Sequence, residues 1–162
     1  MRGAVGEADW EGEKIGEYGK QHDQQQTRIH RYRRHPSRRK PRSNYIIRKI
    51  VGKVNGYQIS ITSSSETKVM YFTGDTVLYP DLTKNVPQNI DAIFANLGAV
   101  KSGSFGGPFT MDLKMLNRMK DLLQPKRIYP IHIDDYSHYK TTKKEVEAAG
   151  YKVLAVGETI DI

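Results

Sequence analysis

The chain has 162 residues, 26 Lys and Arg against 18 Asp and Glu, a hydrophobic fraction of 37%, a mean hydropathy of -0.66 and no cysteine. That length holds one domain and little more, and an apolar content below the usual 45–50% or so predicts that part of the chain stays outside any core. Without cysteine there is no disulfide framework, thiolate nucleophile, Cys-ligated zinc or iron–sulfur cluster, so any metal must use His or carboxylate.

Residues 1 to 45 carry 11 basic and 6 acidic residues, and Thr27 to Arg42 holds eight Lys and Arg with no acid. Like charges repel and few apolar groups are available, so residues 1–45 read as a disordered basic leader. Glu7, Asp9, Glu11, Glu13, Glu17 and Asp23 break the acid-poor rule of mitochondrial addresses. With no apolar run of spanning length and no secretory core, the expectation is a soluble, cytoplasmic protein with no membrane partner.

From Ile46 onward the pattern becomes that of a folded α/β unit, residues 46–162. Tyr57 to Thr62 alternates apolar and polar residues as a half-buried strand does. Ser63-Ser64-Ser65 supplies a turn before the strand Lys68 to Phe72, and two antiparallel neighbours are the simplest reading. Ile90 to Leu97 is a third apolar stretch, followed by the loop Gly98 to Phe109 with four glycines.

Met111, Met115, Leu116, Met119, Leu122 and Leu123 recur at helical spacing, with Thr110 placed to cap the start and Pro125 marking the end. This Met-rich stripe is assigned to a core rather than to a partner groove. Arg127 to Ile133 reads as a strand. Thr142 and Glu145 have capping-box spacing, and Gly150 closes that helix. Short strands are expected at Tyr151 to Val156 and Thr159 to Ile162.

Two polar residues sit just past apolar strands: Asp75 in Thr73-Gly74-Asp75-Thr76, and His132 after Arg127 to Ile131. Strand ends hold side chains rigidly while projecting them into a crevice, as a metal or acid/base site requires. Alone, Gly-Asp-Thr is an ordinary turn and a single strand-end His is usually just hydrogen-bonded.

Taken with Tyr71-Phe72, Ile90 to Gly98, Gly107 to Asp112, Pro130 to Tyr136 and Ser137-His138-Tyr139, these motifs resemble the carboxy-terminal half of the metallo-β-lactamase superfamily. The resemblance covers roughly residues 46 to 162. It implies the second half of an αββα sandwich, a mixed sheet with helices. It also implies metal-dependent hydrolysis of a lactone, ester or phosphodiester at a pair of ions, commonly zinc, whose bridged water is acidified to hydroxide.

On that resemblance, Asp75 is the carboxylate bridging both ions and His132 the last histidine ligand. Asp134 and Asp135 either orient His132 or cap the following turn. His138 either approaches substrate or is solvated, and the loop Gly98 to Phe109 either walls the site or is plain surface.

The family's amino-terminal His-x-His-x-Asp-His motif is not found. Before Asp75 the only histidines are His22, His30 and His35, whose spacing does not reproduce it. Two ligands cannot hold two metals, since a catalytic zinc takes about three protein ligands. The expectation is therefore a carboxy-terminal remnant, inactive alone, behind an unrelated basic leader. Its uncovered sheet face would be open to self-association. A rival function is nucleic-acid or acidic-surface binding through Arg28, Arg31, Arg33, Arg34, Arg38, Arg39, Lys40 and Arg42. An incidental charged tail is favoured over it, because no base-reading motif accompanies the run.

Overall fold

A computed structural model describes residues 14–19, 26–33, 54–79, 82–86, 88–101, 108–134 and 136–162; for 14–19 and 26–33 it is the backbone path that is described. Six strands form one sheet in chain order: β1 (Lys14–Gly19), β2 (Gln26–Arg33), β3 (Asn55–Thr62), β4 (Thr67–Phe72), β5 (Ala92–Asn96) and β6 (Arg127–Ile131). β1 to β4 pair antiparallel, whereas β4, β5 and β6 run parallel. The sheet is therefore mixed, as expected for residues 46–162.

The β3–β4 hairpin follows from its alternation, with Tyr57 opposite Phe72 and Ile59 opposite Met70. Its turn closes when Ser63 N–H donates to Glu66 O at 2.8 Å, and the Ser63 hydroxyl accepts from Glu66 N–H. Parallel pairing then needs crossovers. The short helix α1 (Leu82–Asn85) sits in the first, between β4 and β5, and α2 (Leu113–Leu123) spans the second.

Side chains on β5 point alternately to two faces. Ile93, Ala95 and Leu97 enter the core with Tyr71, Leu82, Val86, Met111, Leu116, Met119, Leu123 and Val146, so the helices back this face. The other face carries a row of rings in register. Phe72 stacks on Phe94 with centroids 4.5 Å apart, and Phe94 on Tyr129 at 5.5 Å. Phe72 and Phe94 are only partly buried, whereas Tyr129 is buried.

Asp91, at the entry to β5, pins this end of the sheet. Its carboxylate accepts from Val69 N–H and from Lys126 Nζ, both at 2.7 Å. Burial pushes its pKa upward, but the Lys126 and Val69 hydrogen bonds outweigh that and hold it below the ordinary carboxylate value.

Three features differ from the sequence expectations. First, segments inside the predicted disordered leader are strands. β2 lies in register with β3 over all eight residues, with Ile29 opposite Ile59 and Thr27 opposite Ile61, and β1 pairs β2 with Glu17 opposite Arg28. The physical reason is that an antiparallel ladder satisfies backbone groups without requiring a strongly apolar strand, and alternating Thr27, Ile29 and Arg31 suit it. The rest of residues 1–45 lies outside the described residues.

Second, α2 is capped by Asp112, whose carboxylate accepts from Met115 N–H at 2.8 Å. Thr110 is committed elsewhere: its hydroxyl accepts from Val100 N–H at 2.9 Å. The end is as expected, with Gln124 left-handed just before Pro125. Third, Tyr151 to Val156 and Thr159 to Ile162 have no ladder pairing. Tyr151 and Val153 pack on the core instead, and a turn at Gly157 is tied by an ion pair between Lys152 and Glu158. By contrast, α3 (Lys143–Ala148) begins with the expected Thr142 and Glu145 capping box. Among the described residues no helix is long and apolar enough to cross a membrane.

Candidate metal centre

Parallel strands send their carboxyl ends the same way, and crevices form just beyond those ends. Here three adjacent strands each deliver one polar side chain to that rim: Asp75 after β4, Asn96 at the end of β5, and His132 after β6. Asp75 Oδ1 and His132 Nδ1 lie 3.4 Å apart. Between them, Asn96 Nδ2 donates to Asp75 Oδ1 at 2.7 Å and lies 3.4 Å from His132 Nδ1.

The approach to Asp75 is fixed by backbone. Thr73 N–H donates to Phe94 O, and the Thr73 hydroxyl accepts from Asn96 N–H at 3.1 Å, tying the exits of β4 and β5 together. Gly74 then turns left-handed at φ 63°, which presents Asp75 outward with its side chain 54% exposed. On the other side, Leu97 N–H donates to Ile131 O and carries the β5–β6 pairing up to His132. His132 and Asp134 are themselves left-handed, at φ 56° and 58°. Such conformations are uncommon for residues with a Cβ, though His and Asp tolerate them better than most.

The Tyr139 hydroxyl also reaches His132 Nδ1, at 3.4 Å. It gets there past Gly98, where an added Cβ would come within 3.1 Å of the Tyr139 ring. His138 stacks on Tyr136 and meets Tyr139 edge-on at 4.9 Å, so this exposed aromatic group adjoins His132. The Asp134 carboxylate accepts from Lys143 N–H at 2.8 Å, at the start of α3 rather than in the turn that follows Asp134. Asp135 lies outside the described residues, as does the middle of the loop Gly98 to Phe109. Of the basic tract, Arg28, Arg31 and Arg33 lie on β2, while Arg34, Arg38, Arg39, Lys40 and Arg42 lie outside the described residues.

Sequence reasoning missed Asn96 and Tyr139. The signal for Asn96 was present in kind: a polar residue at the end of an apolar parallel strand, the same mark that singled out Asp75 and His132.

No protein-family model matches the chain. Among solved structures, it is similar to an isothiocyanate hydrolase from Delia radicum gut bacteria, at 20% identity and a TM-score of 0.63, over 90% of this chain and 57% of that one. It is similar also to a protein described as a metal-dependent hydrolase from Veillonella parvula, at 18% identity and a TM-score of 0.63, over 91% and 57% of the two chains. A third is described as a zinc-dependent hydrolase of the metallo-β-lactamase superfamily from Thermotoga maritima, at 17% identity and a TM-score of 0.50, over 85% and 57%. The chain has the metallo-β-lactamase fold. It spans 57% of the length of each of these three structures.

Within the metallo-β-lactamase fold, the donor set can be tested against a metal. Two donors on one tetrahedral ion, at bond lengths of about 2.0–2.2 Å, stand roughly 3.3–3.5 Å apart. The separation of Asp75 Oδ1 and His132 Nδ1, 3.4 Å, matches. Completion does not: among the described residues no group of three His, Cys, Asp or Glu comes together. The pair suits one side of a metal centre and does not by itself make one.

Proposed function

We propose that this chain supplies the Asp75 and His132 side of a metal-dependent hydrolase centre of the metallo-β-lactamase fold. The observation that carries the reading is the 3.4 Å convergence of a carboxylate oxygen and an imidazole nitrogen at the carboxyl ends of parallel strands. Zinc is the metal proposed, and a lactone, ester or phosphodiester the substrate class. The sequence carries no His-x-His-x-Asp-His motif to supply the remaining ligands, so on this reading the chain alone does not turn over substrate. The row Phe72, Phe94 and Tyr129, in which Phe72 and Phe94 are partly exposed and Tyr129 is buried, is the face on which a complementary layer would pack, and self-association can use it when no such layer is present.

Calorimetric titration of the full chain with zinc tests the ligand assignment. Weak binding abolished by Asp75→Ala and by His132→Ala is expected. Tight stoichiometric binding untouched by Asp75→Ala would show the assignment to be wrong. Esterase and phosphodiesterase assays, with and without a co-expressed His-x-His-x-Asp-His half, test the rest. Turnover only in the mixture is expected. Activity of the lone chain overturns the incompleteness, and inactivity with the full ligand set overturns the hydrolase reading.

A further inference from the structure

In sequence the basic tract has no base-reading partner; the fold brings one beside it. Ladder partners share a face of the sheet, and one row of partners runs across five strands: Arg31 on β2, Tyr57 on β3, Phe72 on β4, Phe94 on β5 and Tyr129 on β6. Arg33, two residues beyond Arg31, falls on the same face. The helices back the opposite face.

Three of the rings form a stack. Phe94 lies between Tyr129 at 5.5 Å and Phe72 at 4.5 Å, and the rings of Phe72 and Phe94 are 6° from parallel. Among the described residues the stack ends at Phe72: Tyr57, next in the row and 36% exposed, makes no ring contact with it. One π-face of Phe72 is used by Phe94, and the second is turned toward β3.

A further flat ring can extend such a column. A nucleobase offers its faces only when unpaired, since in a duplex both are covered by neighbouring pairs. Charge points the same way. The chain carries a net charge of +8, and the row passes from rings to arginine at β2, two strand spacings or about 10 Å from Phe72. A purely apolar layer brings no counter-charge to these cations, whereas a phosphate backbone neutralises them.

We propose that this face binds single-stranded nucleic acid, with one base stacked on Phe72 beside Tyr57 and the phosphates on the β2 side, where Arg31 and Arg33 stand. The binding asks nothing of Asp75 or His132, so its failure leaves the hydrolase reading standing. A complementary layer packed on the row would compete with the nucleic acid.

The test is fluorescence anisotropy of the full, metal-free chain with labelled probes of about twelve nucleotides. The probes are oligo-dT, oligo-U, a duplex, and an abasic strand that keeps the phosphates without the bases. The two single strands are expected to bind about tenfold tighter than the abasic strand, and tighter than the duplex. Preference for oligo-U or for oligo-dT then assigns the strand as RNA or DNA. Phe72→Leu, which keeps an apolar side chain but removes the π-face, is expected to weaken the base-bearing strands about tenfold and to leave the abasic strand unchanged. Arg31→Gln with Arg33→Gln is expected to weaken every probe and to reduce the slope of log affinity against log salt by about 1.4. If Phe72→Leu does not fold, Tyr57→Leu, at an exposed position, and the wild-type comparison with the abasic strand decide. Equal affinity for abasic and base-bearing strands would leave charge alone and overturn the proposal, as would no binding of any probe. So would an oligo-dT affinity unchanged in Phe72→Leu; if light scattering also shows a wild-type dimer that this variant splits, the face belongs to a second copy of the chain.

Discussion

A Cβ added to Gly74 would fall 2.4 Å from the carbonyl oxygen of Asn55, a backbone atom at the start of β3. Gly74 is also left-handed, and it is the residue that turns the chain from β4 toward Asp75. Gly74→Ala therefore meets both a conformational penalty of about 1–2 kcal/mol and a clash that only backbone movement relieves. A loss of stability exceeding that penalty is expected in urea unfolding. An unchanged midpoint would show that the β3 start does not press on this turn.

Asp91 gives a pH dependence with a definite sign. Its folded pKa is lower than the ordinary carboxylate value, so the unfolded chain binds the proton more readily. The resulting stability is present above the unfolded value of about 3.9 and is lost as pH falls through the folded one. Acid unfolding followed by circular dichroism should show this limb below about pH 4, and Asp91→Asn should flatten it. An identical acid limb in Asp91→Asn would contradict the assigned roles of Lys126 and Val69.

The two polar residues before α2 have separable tasks. Asp112→Ala removes the cap on Met115 N–H and is expected to lower stability by about 1 kcal/mol, with fraying of the first turn visible in amide exchange. Thr110→Ala should leave that turn protected and instead release the amide of Val100, which its hydroxyl holds. Fraying of α2 in the Thr110 variant would reverse the assignment.

Strand β2 is paired on both sides, by β1 and by β3. A proline at Ile29 removes a backbone donor and stiffens the chain in the middle of this ladder. Ile29→Pro is expected to lower hydrogen-exchange protection across Asn55 to Thr62, which β2 pairs throughout. Unaltered protection there would mean that β3 does not depend on β2.

The portions legible in the sequence are those where one physical signal acts alone. Alternation exposed β3, the serine turn and the apolar run after it exposed β4, helical spacing exposed α2, and the Thr142 and Glu145 pair exposed the start of α3. Asp75 and His132 were visible because each follows an apolar strand. Elsewhere signals competed. On β2, seven of the eight positions are polar or aromatic, and charge density hid an alternation that only a paired neighbour makes useful. Tyr151 to Val156 has strand-like residues, but pairing depends on a neighbouring edge, which local pattern does not encode. The cap moved from Thr110 to Asp112 because a distant amide, that of Val100, claims the threonine hydroxyl. Asn96 was overlooked because it belongs to the strand itself, and its contacts are with residues brought near only by the fold.

Asp75, Asn96 and His132 all stand at or beyond the last paired residues of β4, β5 and β6. Exchanging any of these side chains leaves the ladder hydrogen bonds, which run through backbone atoms, in place. Heritable change can therefore rewrite the chemistry of this rim one position at a time while the scaffold beneath continues to assemble.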